Sequence, residues 1–237
     1  MLAQQRWRLL FGLEGVAIDP AQATLAALKE GLQQIGRPLP PEVSLDWLMQ
    51  MELEEALQYL LGSDHEHLGT SVAKQIGLHY KEFRRFKGRL YTGIAELLGT
   101  LTHQQEVETI LLSPWQPEET RRQLTSHGLV DGIDLLACRH AHGCLGCRRK
   151  IAIDTANRAT PSDGQLVWLT DEPKDILTAH RHGILSIAAL WGHTSQEELK
   201  AVRPSLWAVE PQDVTIHLRQ PTIRLTANSA EPTIQMH

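Results

Sequence analysis

The chain has 237 residues, of which 42% are hydrophobic, so it can bury the core of one large domain or of two small ones. Its net charge of −5 excludes the dominant basic face that is typical of a nucleic-acid-binding protein. The apolar run that begins at Trp7 is about six residues long, which is too short for a signal or membrane segment. We therefore expect a cytoplasmic protein that contacts neither nucleic acid nor a membrane.

Six short apolar runs bounded by turn residues predict β-strands, and helical patterns of about ten residues or more lie between most of them. The predicted strands are residues 7–11, 108–112, 133–137, 166–169, 184–190 and 206–209. Strands that alternate with helices favour a parallel sheet covered on both faces. The predicted fold class is therefore α/β, with a doubly wound parallel sheet.

The interval between the first two strands is helical throughout, with predicted helices at 21–35, 44–60 and 71–86. Such an insertion indicates a second, smaller module. We therefore predict a discontinuous core from residues 1–18 and 88–212, a helical module from 19–87, and a C-terminal extension from 213–237. Weak alternation over 214–226 predicts an edge strand, followed by a disordered end.

The segment from residue 9 to residue 20 reads LLFGLEGVAIDP, an apolar strand followed by glycines and acidic residues. It resembles the first motif of the haloacid dehalogenase-like (HAD) superfamily, in which Asp-x-Asp-Gly-Thr follows a strand. Gly15 and Asp19 fit that motif. Gly12 stands where the family has its nucleophilic aspartate, Glu14 where it has its acid/base aspartate, and Val16 replaces the threonine.

The resemblance covers roughly residues 7–210 and is closest to the phosphoglycolate-phosphatase-like branch. It implies a Rossmann-like core with a helical cap, a small phosphorylated molecule as ligand, and Mg²⁺ as cofactor. In the family an aspartate attacks phosphorus and forms an aspartyl-phosphate. Gly12 has no side chain for that attack, so we predict a catalytically impaired relative retained to bind a ligand or a protein partner. The alternative is an active phosphomonoester hydrolase in which water attacks directly.

Gly12 itself has two interpretations. Together with Gly15, it can let the backbone turn after the strand. Alternatively, the missing side chain makes room for the close approach of a ligand.

The second and third family motifs supply phosphate contacts. Ser113 matches the hydroxyl residue of the second motif, and it can equally open the helix that follows. For the third motif, Arg148, Arg149 or Lys150 can supply the cation, unless these residues form a solvated basic helix start. The resemblance makes Ser113, Arg148 and Lys150 the candidate phosphate-binding residues.

The fourth motif is the best preserved. Asp171 and Asp175 fall on the metal-binding positions, Thr170 replaces the usual glycine, and Glu14 is the third candidate ligand. Capping of the following helix would also explain both aspartates. Because Mg²⁺ requires near-octahedral oxygen coordination, the loss of a carboxylate at Gly12 predicts weak or absent Mg²⁺ binding.

A cluster of soft-metal ligands lies in the loop of the third motif and supports a different function. It includes all three cysteines, which a reducing compartment favours as thiols or metal ligands. Zinc binding, a redox Cys-x-x-Cys pair or an incidental loop would each explain the cluster. The third functional hypothesis is therefore a zinc- or redox-responsive module built from Cys138, His140, His142, Cys144 and Cys147.

Overall fold

The computed structural model of the chain describes residues 6–44, 53–71, 88–113, 115–138, 147–160 and 164–219. The strands in chain order are β1 (Trp7–Gly12), β2 (Ile18–Asp19), β3 (Arg89–Leu90), β4 (Val107–Ser113), β5 (Leu135–Cys138), β6 (Gln165–Thr170), β7 (Leu185–Ala189) and β8 (Leu206–Ala208). The α-helices are α1 (Ala21–Gln33), α2 (Leu53–Leu61), α3 (Ile94–Thr102), α4 (Pro117–Ser126), α5 (Cys147–Arg158), α6 (Pro173–Arg181), α7 (Gln196–Ala201) and α8 (Pro211–Arg219).

Contacts within the chain divide it into two units. One unit runs to Val16 and resumes at Thr92, and the other spans Ala17–Tyr91. Both β2 and β3 therefore belong to the second unit, which begins before and ends after the predicted 19–87 module.

The first unit is built on a six-stranded parallel sheet with the order β5-β4-β1-β6-β7-β8. The six strands predicted from the sequence all form, with ends displaced by no more than a few residues. Strands β1, β4, β6 and β7 are buried almost continuously, because helices cover both faces of a parallel sheet. The α/β doubly wound class is confirmed.

One face of this sheet packs against α5 and α6. Successive side chains of a strand point to opposite faces, so Leu10 and Trp168 lie on the same side as Ile110 and Leu112. They form one buried cluster with Ala152 of α5, Ala179 of α6 and Ile184. This packing fixes the first turn of α5 near the carboxyl ends of the central strands.

The predicted edge strand after residue 213 is wrong for the described part of that segment. Residues 211–219 form α8, which lies against α3 and β8. Pro211 starts the helix, and the buried Val214, Thr215 and Leu218 follow helical spacing. The remainder of the predicted extension, 220–237, lies outside the described residues.

The second unit contains α1 and α2, whose apolar faces share a core of Leu28, Leu32, Ala56, Leu57 and Leu61. The short strands β2 and β3 pair in antiparallel fashion in this unit. The predicted helix at 71–86 and the start of the one at 44–60 fall almost wholly outside the described residues. Within the described parts of both units, no helix is long and apolar enough to span a membrane.

Candidate functional site

The candidate site lies at the carboxyl ends of β1 and β6, where the strand order of the sheet reverses. From β1 the chain proceeds through β4 to β5 on one side, and then crosses to β6 on the other side. Open α/β sheets place their ligands in the crevice at such a reversal. Gly12 ends β1, and Asp171 directly follows β6. The topology therefore brings the first and fourth motifs together.

The two glycines at the end of β1 have different reasons to be glycine. Gly15 has a φ of +85°, a left-handed conformation that favours glycine. Gly12 belongs to β1, pairs with Leu112 of β4 and has no positive φ. The interpretation of Gly12 as a turn residue is therefore wrong. A Cβ at position 12 would lie 2.6 Å from Nη1 and 3.0 Å from Cδ of Arg148, so the close approach is made by the chain itself.

Arg148, in the first turn of α5, connects the loop after β1 to the turn after β6. Its Nη1 donates to the backbone oxygen of Glu14 at 3.3 Å. Its Nη2 lies 2.7 Å from Asp175 Oδ2 and donates to Glu172 Oε2 at 3.0 Å. Burial by itself would lower the pKa of Arg148, but the charges of Asp175 and Glu172 raise it above its ordinary value. Arg148 is therefore a permanent cation.

The turn after β6 carries the acidic side chains that hold Arg148. Asp175 is fully buried in the first turn of α6, as the capping interpretation predicted. The Thr170 hydroxyl donates to Asp175 Oδ2 at 3.1 Å and accepts from the backbone N–H of Glu172 at 3.1 Å. The threonine that replaces the family's glycine therefore orders this turn with two hydrogen bonds that glycine cannot make.

Asp171 does not cap α6, because the N-cap residue is Glu172. Its carboxylate instead packs between the backbones of two glycines. A Cβ on Gly15 would lie 2.5 Å from Asp171 Oδ1, and a Cβ on Gly192 would overlap the Asp171 side chain. The backbone N–H of His193 donates to Asp171 Oδ2 at 3.3 Å. Burial raises the pKa of Asp171, and the charge of Arg148 only partly opposes that rise.

Glu172 is a site residue that the sequence reasoning missed. It accepts from Arg148 through Oε2 and from Arg149 Nη1 through Oε1, both at 3.0 Å. Burial and repulsion from Asp175 raise its pKa, while Arg148 and Arg149 act in the opposite direction. Its position directly after Asp171 was the available sequence signal.

Trp191 was also missed as a site residue. Its Nε1 donates to the backbone oxygen of Val16 at 2.8 Å and so holds the far end of the β1 loop.

The other two candidate phosphate-binding residues are a hydrogen-bonded serine and an exposed lysine, and their role in binding phosphate stays a prediction. The Ser113 hydroxyl lies 2.7 Å from Thr120 Oγ1 and accepts from the backbone N–H of Trp115 at 3.2 Å. Since the N-cap of α4 is Gln116, Ser113 orders the turn before the helix and does not cap it. Lys150 is exposed, whereas Arg149 Nη1 contacts Asp175 Oδ1 at 3.1 Å.

Of the cysteine–histidine cluster, only the Cys138 side chain falls within the described residues. It ends β5 and donates weakly to Thr120 Oγ1 at 3.7 Å. Burial raises the pKa of the Cys138 thiol, which disfavours the reactive thiolate. His140, His142, Cys144 and the side chain of Cys147 lie outside the described residues, so the zinc and redox hypotheses stay predictions.

Comparison with known proteins assigns the family. The sequence pattern of haloacid dehalogenase-like hydrolases matches residues 9–189, which is most of the chain. The chain belongs to this family. It is 23% identical over 214 residues to the 5'-nucleotidase of Pseudomonas aeruginosa, covering 85% of this chain and 90% of that protein.

Two further matches agree with that assignment. The chain is 26% identical over 204 residues to the phosphoglycolate phosphatase of Xanthomonas campestris, covering 78% of this chain and 83% of that protein. The solved structure of the HAD-like hydrolase SP0104 from Streptococcus pneumoniae superposes with a TM-score of 0.72 at 19% identity, covering 92% of this chain and 99% of that one. The HAD-like chain therefore resembles the phosphoglycolate-phosphatase-like branch, as the motifs predicted.

Members of this family generally use Mg²⁺, and the described residues do not fit it. Both oxygens of Asp175 are held by guanidinium groups, and the Glu14 backbone oxygen accepts from Arg148. Gly12 offers no carboxylate, and in the described part of the chain no group of three or more His, Cys, Asp or Glu side chains could hold a metal. Mg²⁺ needs near-octahedral oxygen coordination, which this arrangement does not supply.

Proposed function

We propose that this HAD-like protein is a cytoplasmic pseudoenzyme that binds a phosphorylated small molecule without hydrolysing it. The loss of hydrolysis is supported by a single observation. The Arg148 side chain lies against Gly12, in the space that a side chain at the nucleophile position would have to enter. The chain therefore lacks the attacking carboxylate, and the place for one is filled.

Hydrolysis is expected to be impaired because the reaction requires a very large rate acceleration. Hydrolysis of phosphate monoesters is among the slowest uncatalysed reactions, and enzymes accelerate it by up to about 10²¹-fold. Without a covalent step, water would have to attack directly, and positioning and electrostatics would have to provide the whole acceleration. Glu14 keeps a carboxyl group but is one methylene longer than the family's aspartate, and a misplacement of about 1 Å costs on the order of 100-fold in rate.

Retained binding is supported by the location of the site. The crevice at the strand reversal is where open α/β folds hold ligands.

The test of lost hydrolysis is a panel of phosphate monoesters assayed with Mg²⁺. The proteins are the wild type, Gly12→Asp/Glu14→Asp, and the same double variant with Arg148→Ala. We expect no turnover by the wild type. The triple variant should exceed the double variant, since a Cβ at position 12 would lie 2.6 Å from Arg148 Nη1.

Wild-type turnover comparable to that of an ordinary family enzyme would contradict the proposal, provided that it disappears in Asp171→Asn. That control separates activity of this chain from a contaminating phosphatase. Such a result would instead support an active phosphomonoester hydrolase, the function that the names of the relatives favour.

Binding is tested separately by thermal shift with two phosphate monoesters. Phosphoglycolate is suggested by the phosphoglycolate phosphatase relative, and a nucleoside 5'-monophosphate by the 5'-nucleotidase relative. A saturable rise in Tm without product formation is expected for at least one of them. No shift with either would contradict the small-molecule part of the proposal and favour a protein partner.

A further inference from the structure

The guanidinium of Arg148 lies in the middle of a group of acidic and backbone oxygens contributed by separate segments. It contacts Glu14 O in the loop after β1, and Glu172 and Asp175 in the turn after β6. Its side chain is 19% exposed, and that of Asp175 is fully buried. We infer that Arg148 is the resident cation of this site and replaces a divalent metal ion there.

The geometry suits a guanidinium better than a free ion. Its planar donors serve several oxygens at once, and here Nη1 and Nη2 bond to different chain segments. Such a cation joins the β1 loop to the acidic turn. Because it is covalently attached to α5, it is present at any metal concentration.

The charges in the site require a cation. Asp171, Glu172 and Asp175 lie within five residues, and a buried carboxylate without a counter-charge is strongly destabilising. Arg148 and Arg149 both pair with Glu172 and Asp175. Only Arg148, however, also contacts the β1 loop and lies over Gly12. The space it fills is next to the position that lacks a carboxylate.

This inference goes beyond the proposed binding role and does not depend on it. It would hold for a chain that hydrolyses phosphate esters without metal, and it would hold if no phosphorylated ligand binds. A result that contradicts the proposed function in the phosphatase or ligand assays is therefore distinguishable from a result that contradicts the resident-cation inference.

The experiment compares Arg148→Met with Arg149→Met in the full chain, after EDTA treatment and again with millimolar Mg²⁺ or Mn²⁺. Wild-type Tm is expected to be the same in all conditions. Arg148→Met should lower Tm by roughly 6–12 °C and Arg149→Met by roughly 2–4 °C, because the second guanidinium is more exposed. Divalent ions should restore part of the loss in Arg148→Met and none in Arg149→Met.

A saturable rise of the wild-type Tm with Mg²⁺ would overturn the inference. So would a loss in Arg148→Met that neither ion reduces, because Arg148 would then be an ordinary structural ion pair. If Arg148→Met does not fold, Arg148→Lys keeps the charge and is expected to fold without a response to divalent ions. If neither Arg148→Met nor Arg148→Lys folds, the shape of the arginine side chain rather than its charge is required. That result would also overturn the inference.

Discussion

At the scale of single residues, two departures from the family motifs, Gly12 and Thr170, both relate to Arg148. Gly12 leaves room for Arg148, and a larger residue there would collide with the guanidinium. Thr170 supplies a hydroxyl that orders the acidic turn holding the same guanidinium. Gly15 and Gly192 make room for the Asp171 side chain.

Thr170→Val tests whether the threonine orders the acidic turn. Valine keeps the branched shape but removes both hydrogen bonds, and it leaves buried polar groups without that partner. We expect unfolding free energy to fall by about 1–3 kcal/mol in chemical denaturation. The control is Thr178→Val, since among the described residues the hydrogen bond of its hydroxyl goes to Lys174 O within α6, and a change of no more than about 0.5 kcal/mol is expected there. Equal effects at both positions would contradict the assigned role.

At the scale of elements, α5 and α6 hold the site because both pack on the same face of the sheet.

His180 adds a polar link between α6 and β7. Its Nε2 lies 3.2 Å from the Ser186 hydroxyl, which is 3.3 Å from that of Ser205. Partial desolvation of its imidazole lowers the pKa of His180 below its ordinary value of 6.5, so the folded chain favours the neutral imidazole.

The sign of the resulting pH dependence follows from proton linkage. Between the lowered folded pKa and 6.5, the unfolded chain binds more protons at His180 than the folded chain does. The stability that this residue contributes is therefore present above pH 6.5 and is lost as pH falls through the folded pKa. Glutamine does not titrate, so the stability of wild type relative to His180→Gln should be higher at pH 8 than at pH 5. If the stabilities of the two proteins change with pH in parallel, this pH dependence does not come from His180.

At the scale of the whole molecule, the sequence predicted the sheet far better than the site. Alternating apolar runs were sufficient for six strands, but β2 and β3 have only two residues each and show no periodicity. The resemblance assigned Gly12 and Asp171 to two motifs of one site. Which of Arg148, Arg149 and Lys150 enters the site depends on the rotation of α5, which is set by packing of Ala152 against the sheet.

The inward position of Arg148 accordingly could not be predicted from local sequence. It also changes the meaning of the weak Mg²⁺ binding expected from the sequence. That expectation rested on the lost carboxylate at Gly12, whereas the structure adds a cation that already occupies the neighbouring oxygens.

The most direct test of this account is calorimetric titration of Mg²⁺ into the full wild-type chain, previously stripped with EDTA and dialysed. Because the guanidinium of Arg148 already occupies oxygens of the site, no saturable heat is expected at millimolar Mg²⁺. Micromolar Mg²⁺ affinity in the wild type would contradict the resident-cation inference.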